Sequence, residues 1–599
     1  MENEKRILLA IILSIAVLFL YQSLFAPPPK KTSPRKEAVE EALPEDPQIP
    51  ASQRIKAPEA MPEIRDLPDG DSVNSVKADG PESLIRVSND LFNAVFCLPS
   101  ARIKSFSLLQ YRDSIEKPWI MKFIHSLLSS GDDQDSARNQ EDAFKNLIKD
   151  SLSRQDALPL RASFIGADGS VLAVSPWTSN ADSLVVGSGA SEASLLLTGT
   201  GNTNLEVRKE LTFSQNNYRI DLNLTFSNKS DSALSGNAFM EWTSPFPEKK
   251  GGGFFSAGMN NNTQFSYFIN GKVEKKALHD IESDIVLEGD ILWTAIEEKY
   301  FTSAVVPLQE KPSQIRVSTA GKRIAAYQII FPQISLQPGQ DKSYGFSLYM
   351  GPKDIDILKQ QGFRLEKTID FGFFDIIAKP LLLSLKFFYR FIGNYGLAII
   401  LITIIIKIIF WPLTHKSYTS MKGMQSIQPE IAALKEKYKD NKEEFAKQQM
   451  SLYKKYKVNP LGGCLPMLLQ IPVFIALYRV LGDSIELRHA NFISFWINDL
   501  SAKDPTYITP LLMGLSMLVQ QKMTPTAADP AQAKMMMFMP IIFTVMFLNF
   551  PSGLVIYWLV NNVISVAQQI YTNKKSHDPG GAECSPSKSK QKPSKKRSR

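Results

Sequence analysis

The sequence predicts a multi-domain membrane protein: an α-helical bundle of five core transmembrane helices plus an N-terminal anchor helix, with an all-β sandwich domain between them. Three observations carry this reading. Five long apolar runs crowd the last third of the 599 residues. The middle of the chain alternates apolar and polar residues with period two. A charge-free run from Ile7 to Phe25 follows a short charged start.

The core runs come first. Apolar segments at about 394–413, 461–482, 507–521, 536–551 and 553–572 leave little amphipathic helix to cover them, so they read as spans rather than buried core helices. Two have short apolar centres, Thr509 to Gln521 and Phe538 to Phe550. About 13 residues make roughly 20 Å of helix against a ~30 Å hydrocarbon core, which calls for local thinning of the bilayer unless flanking residues extend them.

Lysine and arginine set the orientation. The 414–458 segment holds ten lysines, whereas 483–506 has only Arg488 and Lys503 against four acids, and nine basic residues follow Tyr571. These biases place the N-terminus, the 414–458 loop, 522–535 and the tail in the cytoplasm. Residues 26–370, 483–506 and the Phe550-Pro551-Ser552-Gly553 turn fall outside.

The N-terminal run reads as an uncleaved anchor over 1–26, because Ala26 is followed by Pro27-Pro28-Pro29, a poor cleavage context. Residues 27–80, rich in Pro, Glu, Lys and Asp, read as a flexible linker. The β domain is expected over 81–352. There Tyr218, Ile220, Leu222, Leu224 and Phe226 alternate with Arg219, Asp221, Asn223 and Thr225, and Tyr344, Phe346, Leu348 and Met350 repeat the pattern. Residues 135–155, with Phe144, Leu147, Ile148 and Leu152 at helical spacing, predict a helical insertion. Residues 353–393 read as a linker and an amphipathic interfacial helix, broken by Pro380 and by Gly393-Asn394.

Function classes narrow in the same way. No catalytic triad, paired acids or phosphate loop stands out in the β domain. Cys97, Cys464 and Cys584 are far apart, and the five histidines lack ligand spacing, so neither a metal nor a cofactor is expected. The 414–458 segment predicts a helical hairpin, interrupted near Pro429 and resuming near Asn441. Its stripes Ile431, Leu434, Tyr438 and Phe445, Gln449, Leu452, Tyr456 can pair. Met421, Met424 and Met450 add flexible apolar surface for greasy ligands, and a lysine-rich hairpin packing on itself is the competing reading.

One charge stands inside a span: Lys407, in "AIILITIIIKIIFWPL". An intramembrane Lys costs about 2.5–3.5 kcal/mol on insertion scales. It either snorkels toward headgroups past Pro412 or faces a watery cavity. Thr403 and Thr414 share its face. Tyr557, Asn561, Ser565 and Gln568 line the last span, Gln470 and Tyr478 the third, Thr509, Ser516 and Gln520 the fourth, and Thr544 the fifth. Snorkelling explains Lys407 alone, whereas a polar line on several spans fits a hydrated groove or a set of buried interhelical hydrogen bonds.

The stretches "NPLGGCLPMLLQIPVFIALY" (459–478), "FWPLTHKSYTSMKGMQSIQPEI" (410–431), "ISFWINDLSAKDP" (493–505) and "FMPIIFTVMFLNFPSGLVIYWLVNN" (538–562) resemble the YidC/Oxa/Alb insertase family, in its Gram-negative form with a large periplasmic domain. The resemblance implies an inner-membrane insertase and chaperone, not an enzyme. It implies activity alone and together with the Sec translocon and its accessory subunits, on nascent membrane proteins within the lipid bilayer, with no small-molecule substrate. It makes 394–572 the insertase core and its groove open to the cytoplasm. Lys407 then attracts acids in the substrate, where most bacterial relatives carry Arg. Tyr557-Trp558 stands where two tyrosines are common, and the apolar slide falls near Phe474 and Met546. The basic tail 573–599 reads either as a ribosome contact or as a topology signal. A transporter binding an anionic solute at Lys407 is the alternative class, and no internal repeat favours it.

Overall fold

The computed structural model describes residues 83–115, 118–120, 144–148, 158–187, 189–201, 203–246, 263–320, 324–439, 441–456, 458, 465–523 and 530–575. The expected anchor, the 27–80 linker, most of 135–155, Cys464, Cys584 and the tail beyond Lys575 lie outside them.

The alternation at 218–226 becomes the strand Arg219–Asn228, which pairs antiparallel with Leu205–Ser214 on one side and Asp341–Pro352 on the other. Its register sets Ile220 opposite Leu348, Leu222 opposite Phe346 and Leu224 opposite Tyr344. Residues opposite one another project to the same face, so all these apolar side chains share it. These strands lie inside a nine-stranded sheet running from Lys272–Ala277 to Val174–Ser179. Two five-stranded sheets cover its apolar face. Phe92 and Phe96 of one meet Phe213, and Phe331 of the other stacks on Tyr344 at 4.1 Å. The domain is a sandwich with one large layer against two smaller ones.

Phe144–Ile148 is a strand, not part of a helix. It pairs with the edge of Arg102–Arg112, with two breaks in register. Five residues with apolar groups at i, i+3 and i+4 satisfy a helical face by spacing, but the open edge of a long strand supplies backbone partners that spacing does not reveal.

Nine helices follow among the described residues: α1 (Ile355–Gln361), α2 (Asp375–Ile392), α3 (Tyr395–Ser426), α4 (Gln428–Lys437), α5 (Lys442–Lys455), α6 (Leu465–Asp483), α7 (Ile508–Met523), α8 (Pro530–Phe547) and α9 (Ser552–Lys575). Pro380 does not break α2. It lies near the helix start and removes only the bond to the Ile376 carbonyl. The break comes at Gly393, whose φ of 69° reverses the chain. Asn394 then caps α3 through a bond from the Leu397 amide. α2 buries Ala378, Leu382 and Leu385 and exposes the opposite, equally apolar side: Phe373 and Ile376 in and just before its first turn are 92% and 87% exposed. A helix greasy on both sides needs a non-aqueous neighbour for the outer one.

α3 runs unbroken for 32 residues through Pro412 and carries the chain straight into the hairpin. It and Ser552–Thr572 are long and apolar enough to cross a membrane, and Met537–Phe547 is a shorter apolar helix. α7 and α8 reach 16 and 18 residues, longer than their apolar centres: α7 gains Ile508 at one end and Lys522-Met523 at the other, and α8 starts at Pro530, eight residues before its apolar centre, but stops at Phe547. The loop after α6 and the turn before α9 lie at one end of the bundle: the Ser552 amide bonds the Ala502 carbonyl at 2.7 Å, and the Gly553 amide bonds that of Leu500 at 3.0 Å.

Salt bridges and hydrogen bonds tie the β domain to the bundle at that same end. The Tyr300 hydroxyl donates to the Gly482 carbonyl at 3.0 Å. Arg488 donates to the carbonyls of Arg112 and Asp113 at 2.6 and 3.2 Å. Lys386 on α2 bridges Asp354 at the start of α1, Asp356, and Glu486 after α6.

Candidate functional site

α9 is the polar axis of the bundle. Its Tyr557, Asn561 and Ser565 recur every four residues and so fall on one helix face. That face meets α3 and α6. Lys407 of α3, only 6% exposed, donates to the Ser565 hydroxyl at 2.7 Å. Ser565 in turn donates to the Asn561 main-chain carbonyl at 2.7 Å. Gln470 of α6 donates to the Asn561 side-chain oxygen at 2.6 Å and to the Tyr557 hydroxyl at 3.3 Å. One connected chain thus joins Lys407, Ser565, Asn561, Gln470 and Tyr557.

The remaining expected residues divide. Thr403 is buried one turn before Lys407, but its hydroxyl turns back to the Ile399 carbonyl at 2.7 Å. Ser516 and the half-buried Gln520 sit on α7, away from Lys407. Ser516 accepts from Asn562 at 3.1 Å, on a neighbouring face of α9. Gln569 bonds the Met523 carbonyl at 2.6 Å, and Gln568 bonds that of Trp411 at 3.4 Å. The stripe is therefore two seams, one toward α3 and α6 and one toward α7. Asn562 is the residue that sequence reasoning missed. Asn561 beside it matched the four-residue period, whereas Asn562 faces the next helix.

Most amide and hydroxyl groups of these seams find partners within the bundle, as interhelical hydrogen bonds do in membranes, although the side-chain oxygens of Gln568 and Gln569 are buried without a donor among the described residues. The charge is different. Among the described residues no carboxylate pairs with Lys407, and a single hydroxyl accepts from its three available protons. A cation in that position is costly unless an anion or water reaches it.

Beside the polar chain lies an aromatic cluster. Phe474 of α6 meets Trp558 edge-on at 4.8 Å and Tyr557 at 6.4 Å. Phe547 packs on Trp558 at 5.3 Å, and the half-buried Met546 joins the same apolar core. The Trp558 indole N–H is buried without an acceptor among the described residues. α7 and α8 approach so closely at Gly514 that a Cβ there would collide with the Thr544 side chain. On the hairpin, Ile427 and Ile431 pack against Leu452, with Leu434, Phe445 and Tyr456 around them, so the two stripes do pair. Met421 and Met424 are half-buried on the α3 extension, whereas Met450 projects from α5 at 52% exposure.

Two family models cover the chain almost end to end beyond its first quarter. Residues 134–384 match the YidC periplasmic domain, and 387–579 match the 60Kd inner membrane protein. The insertase of Citrifermentans bemidjiense, "Membrane protein insertase YidC", is 41% identical over 95% of this chain and 99% of its own. The chain belongs to the YidC membrane protein insertase family. That of Syntrophus aciditrophicus is 39% identical over 96% of this chain and 100% of its own. A crystal structure of an active YidC insertase aligns over 81% of this chain and 93% of its own, at 18% identity and a TM-score of 0.33. Family membership makes this an inner-membrane protein with a β-rich periplasmic-type domain and a helical core, whose work is membrane protein insertion.

Proposed function

We propose that the Lys407 seam receives the hydrophilic, acid-bearing segment of a nascent membrane protein while the aromatic cluster guides its apolar helix. The observation that carries this is the uncompensated charge: a buried ammonium with one hydroxyl acceptor and no acid among the described residues. A carboxylate entering from the substrate would supply the missing partner, and water in an opened groove would serve before it arrives. Gln470, Tyr557, Asn561 and Ser565 would exchange their internal bonds for bonds to the incoming backbone. Thr403 lines the approach one turn above, and Ser516 and Gln520 form the seam that separates when the groove widens. Phe474, Met546 and Trp558 make the apolar slide.

On this reading α3, α6, α7, α8 and α9 are the five core spans, joined by the N-terminal anchor. The hairpin and both termini are cytoplasmic, and the β domain is periplasmic. The hairpin methionines Met421, Met424 and Met450 meet apolar segments as they arrive. The basic tail is a ribosome contact, and Sec translocon subunits share substrates that need folding help. Photo-crosslinkers at positions 403, 407 and 557 test the placement. A stalled nascent chain with an acidic N-tail should crosslink at all three, and labelling confined to the β domain would overturn the proposal.

A further inference from the structure

The junction between β domain and bundle holds a cavity of about 300 Å³. Four cations line it, Lys275, Lys299, Lys353 and Arg479, and they face the acids Asp370, Asp483 and Glu486. Part of this charge is internally settled. The fully buried Glu297 behind the wall holds both Lys353 at 2.7 Å and Lys275 at 3.3 Å. Glu298 is taken by Lys145 at 2.7 Å.

The rest is not settled. Ser484, 4% exposed, lines the cavity with a hydroxyl that has no hydrogen-bond partner among the described residues. Lys386 lies 3.2 Å from one Glu486 oxygen but is shared with Asp354 at 3.0 Å and Asp356 at 2.8 Å, and the second Glu486 oxygen is buried without a donor among the described residues. Arg479 is half-exposed at the rim and only 3.8 Å from Asp483. Lys299 rests over the Tyr300 ring at 5.0 Å. Burial pushes the Glu486 carboxyl above the usual range despite Lys386, as expected of an acid short of cationic partners. The cavity thus offers loose cations on one side, and an underserved acid with an idle hydroxyl on the other.

We propose that this cavity binds the headgroup of an aminophospholipid: the phosphate against Arg479 and Lys299, the primary ammonium against Glu486 and the Ser484 hydroxyl. Leu382 and Phe371 also line it, and both belong to the α2 region whose outer side exposes Phe373, Ile376, Phe387 and Phe391. An acyl chain lying along that apolar side brings its headgroup to the mouth. The inference rests on α2 lying at the membrane surface, not on the role of Lys407. It gives the domain junction a lipid as part of its mortar.

Native mass spectrometry of the full chain released from detergent tests it, with phosphatidylethanolamine, phosphatidylcholine, phosphatidylglycerol and soluble phosphoethanolamine as probes. Phosphatidylethanolamine should bind at least about tenfold more tightly than phosphatidylcholine, whose ammonium has no N–H to donate, a difference of one charge-assisted hydrogen bond. Ser484→Ala combined with Glu486→Gln should remove that preference, Arg479→Gln should weaken both lipids alike, and Lys407→Ala should leave the preference intact. Equal binding of both lipids by the unaltered chain overturns the proposal. So does a stronger, variant-sensitive preference for phosphatidylglycerol, which would make the cavity a plain cationic patch. Soluble phosphoethanolamine binding as tightly as the lipid would overturn the lipid source.

Discussion

Lys407 and Ser565, 158 positions apart in sequence, meet at 2.7 Å in the middle of the helical bundle, the ammonium donating to the hydroxyl. This contact joins the first and last core helices, and it is the only described hydrogen bond that the buried charge makes. Ser565→Ala should therefore cost about 1.5–3 kcal/mol, the range for a hydrogen bond to a charged group. A fall in melting temperature in detergent checks this. Lys407→Met on the Ser565→Ala background should recover part of the loss, since it removes the stranded charge.

Glu297 fixes the acid limit of the β domain. Burial by itself would raise its pKa, but Lys353 and Lys275 overcome that and hold it below the ordinary carboxylate range. A depressed folded pKa means stability that is present above the unfolded value, about 4.3, and is lost as pH falls through the folded one. The melting temperature should stay level from neutral pH to about 5 and drop below about 4. Glu297→Gln should flatten that acid drop and lower stability at pH 7 by about 3–5 kcal/mol, because two lysines lose their shared anion. An unchanged acid profile in the variant would contradict the assignment.

Gly514 sets the approach of α7 to α8. Any larger side chain meets Thr544, whose hydroxyl is already bonded to the Pro540 carbonyl at 2.7 Å. Gly514→Val should destabilise the bundle by about 1–3 kcal/mol through overpacking. Thermal melts of the variant, with Gly514→Val/Thr544→Ala as partial rescue, measure it.

The hairpin is a small separate core. Leu452→Ala opens a cavity under Ile427 and Ile431. Limited proteolysis should then cut within 427–458 faster than in the unaltered chain, while the melting temperature of the β domain stays constant.

Much of this was legible in sequence because side-chain period reports directly on which faces are covered. Tyr218 to Phe226 alternate, and all five apolar members are buried. The hairpin stripes pair as their spacing implies. What period does not report is partner identity. Phe144–Ile148 became a strand because Arg102–Arg112 offered an edge. Pro380 looked like a stop, yet it removes one backbone bond from a helix otherwise held by packing, as Pro412 does in α3. The Lys407 seam was half legible: Tyr557, Asn561 and Ser565 announce a face, but only the fold shows Gln470 closing on it and Ser516 turning instead to Asn562.

The central claim is that the Lys407 charge itself receives acidic segments. Insertion of a single-span substrate with an acidic translocated tail into proteoliposomes, compared between Lys407→Arg and Lys407→Glu, tests it most directly. Arg keeps the cation, so insertion should persist. Glu reverses the charge, so insertion should fall at least tenfold for the acidic tail and much less for a neutral one. Equal insertion of the acidic tail by both variants would contradict the account.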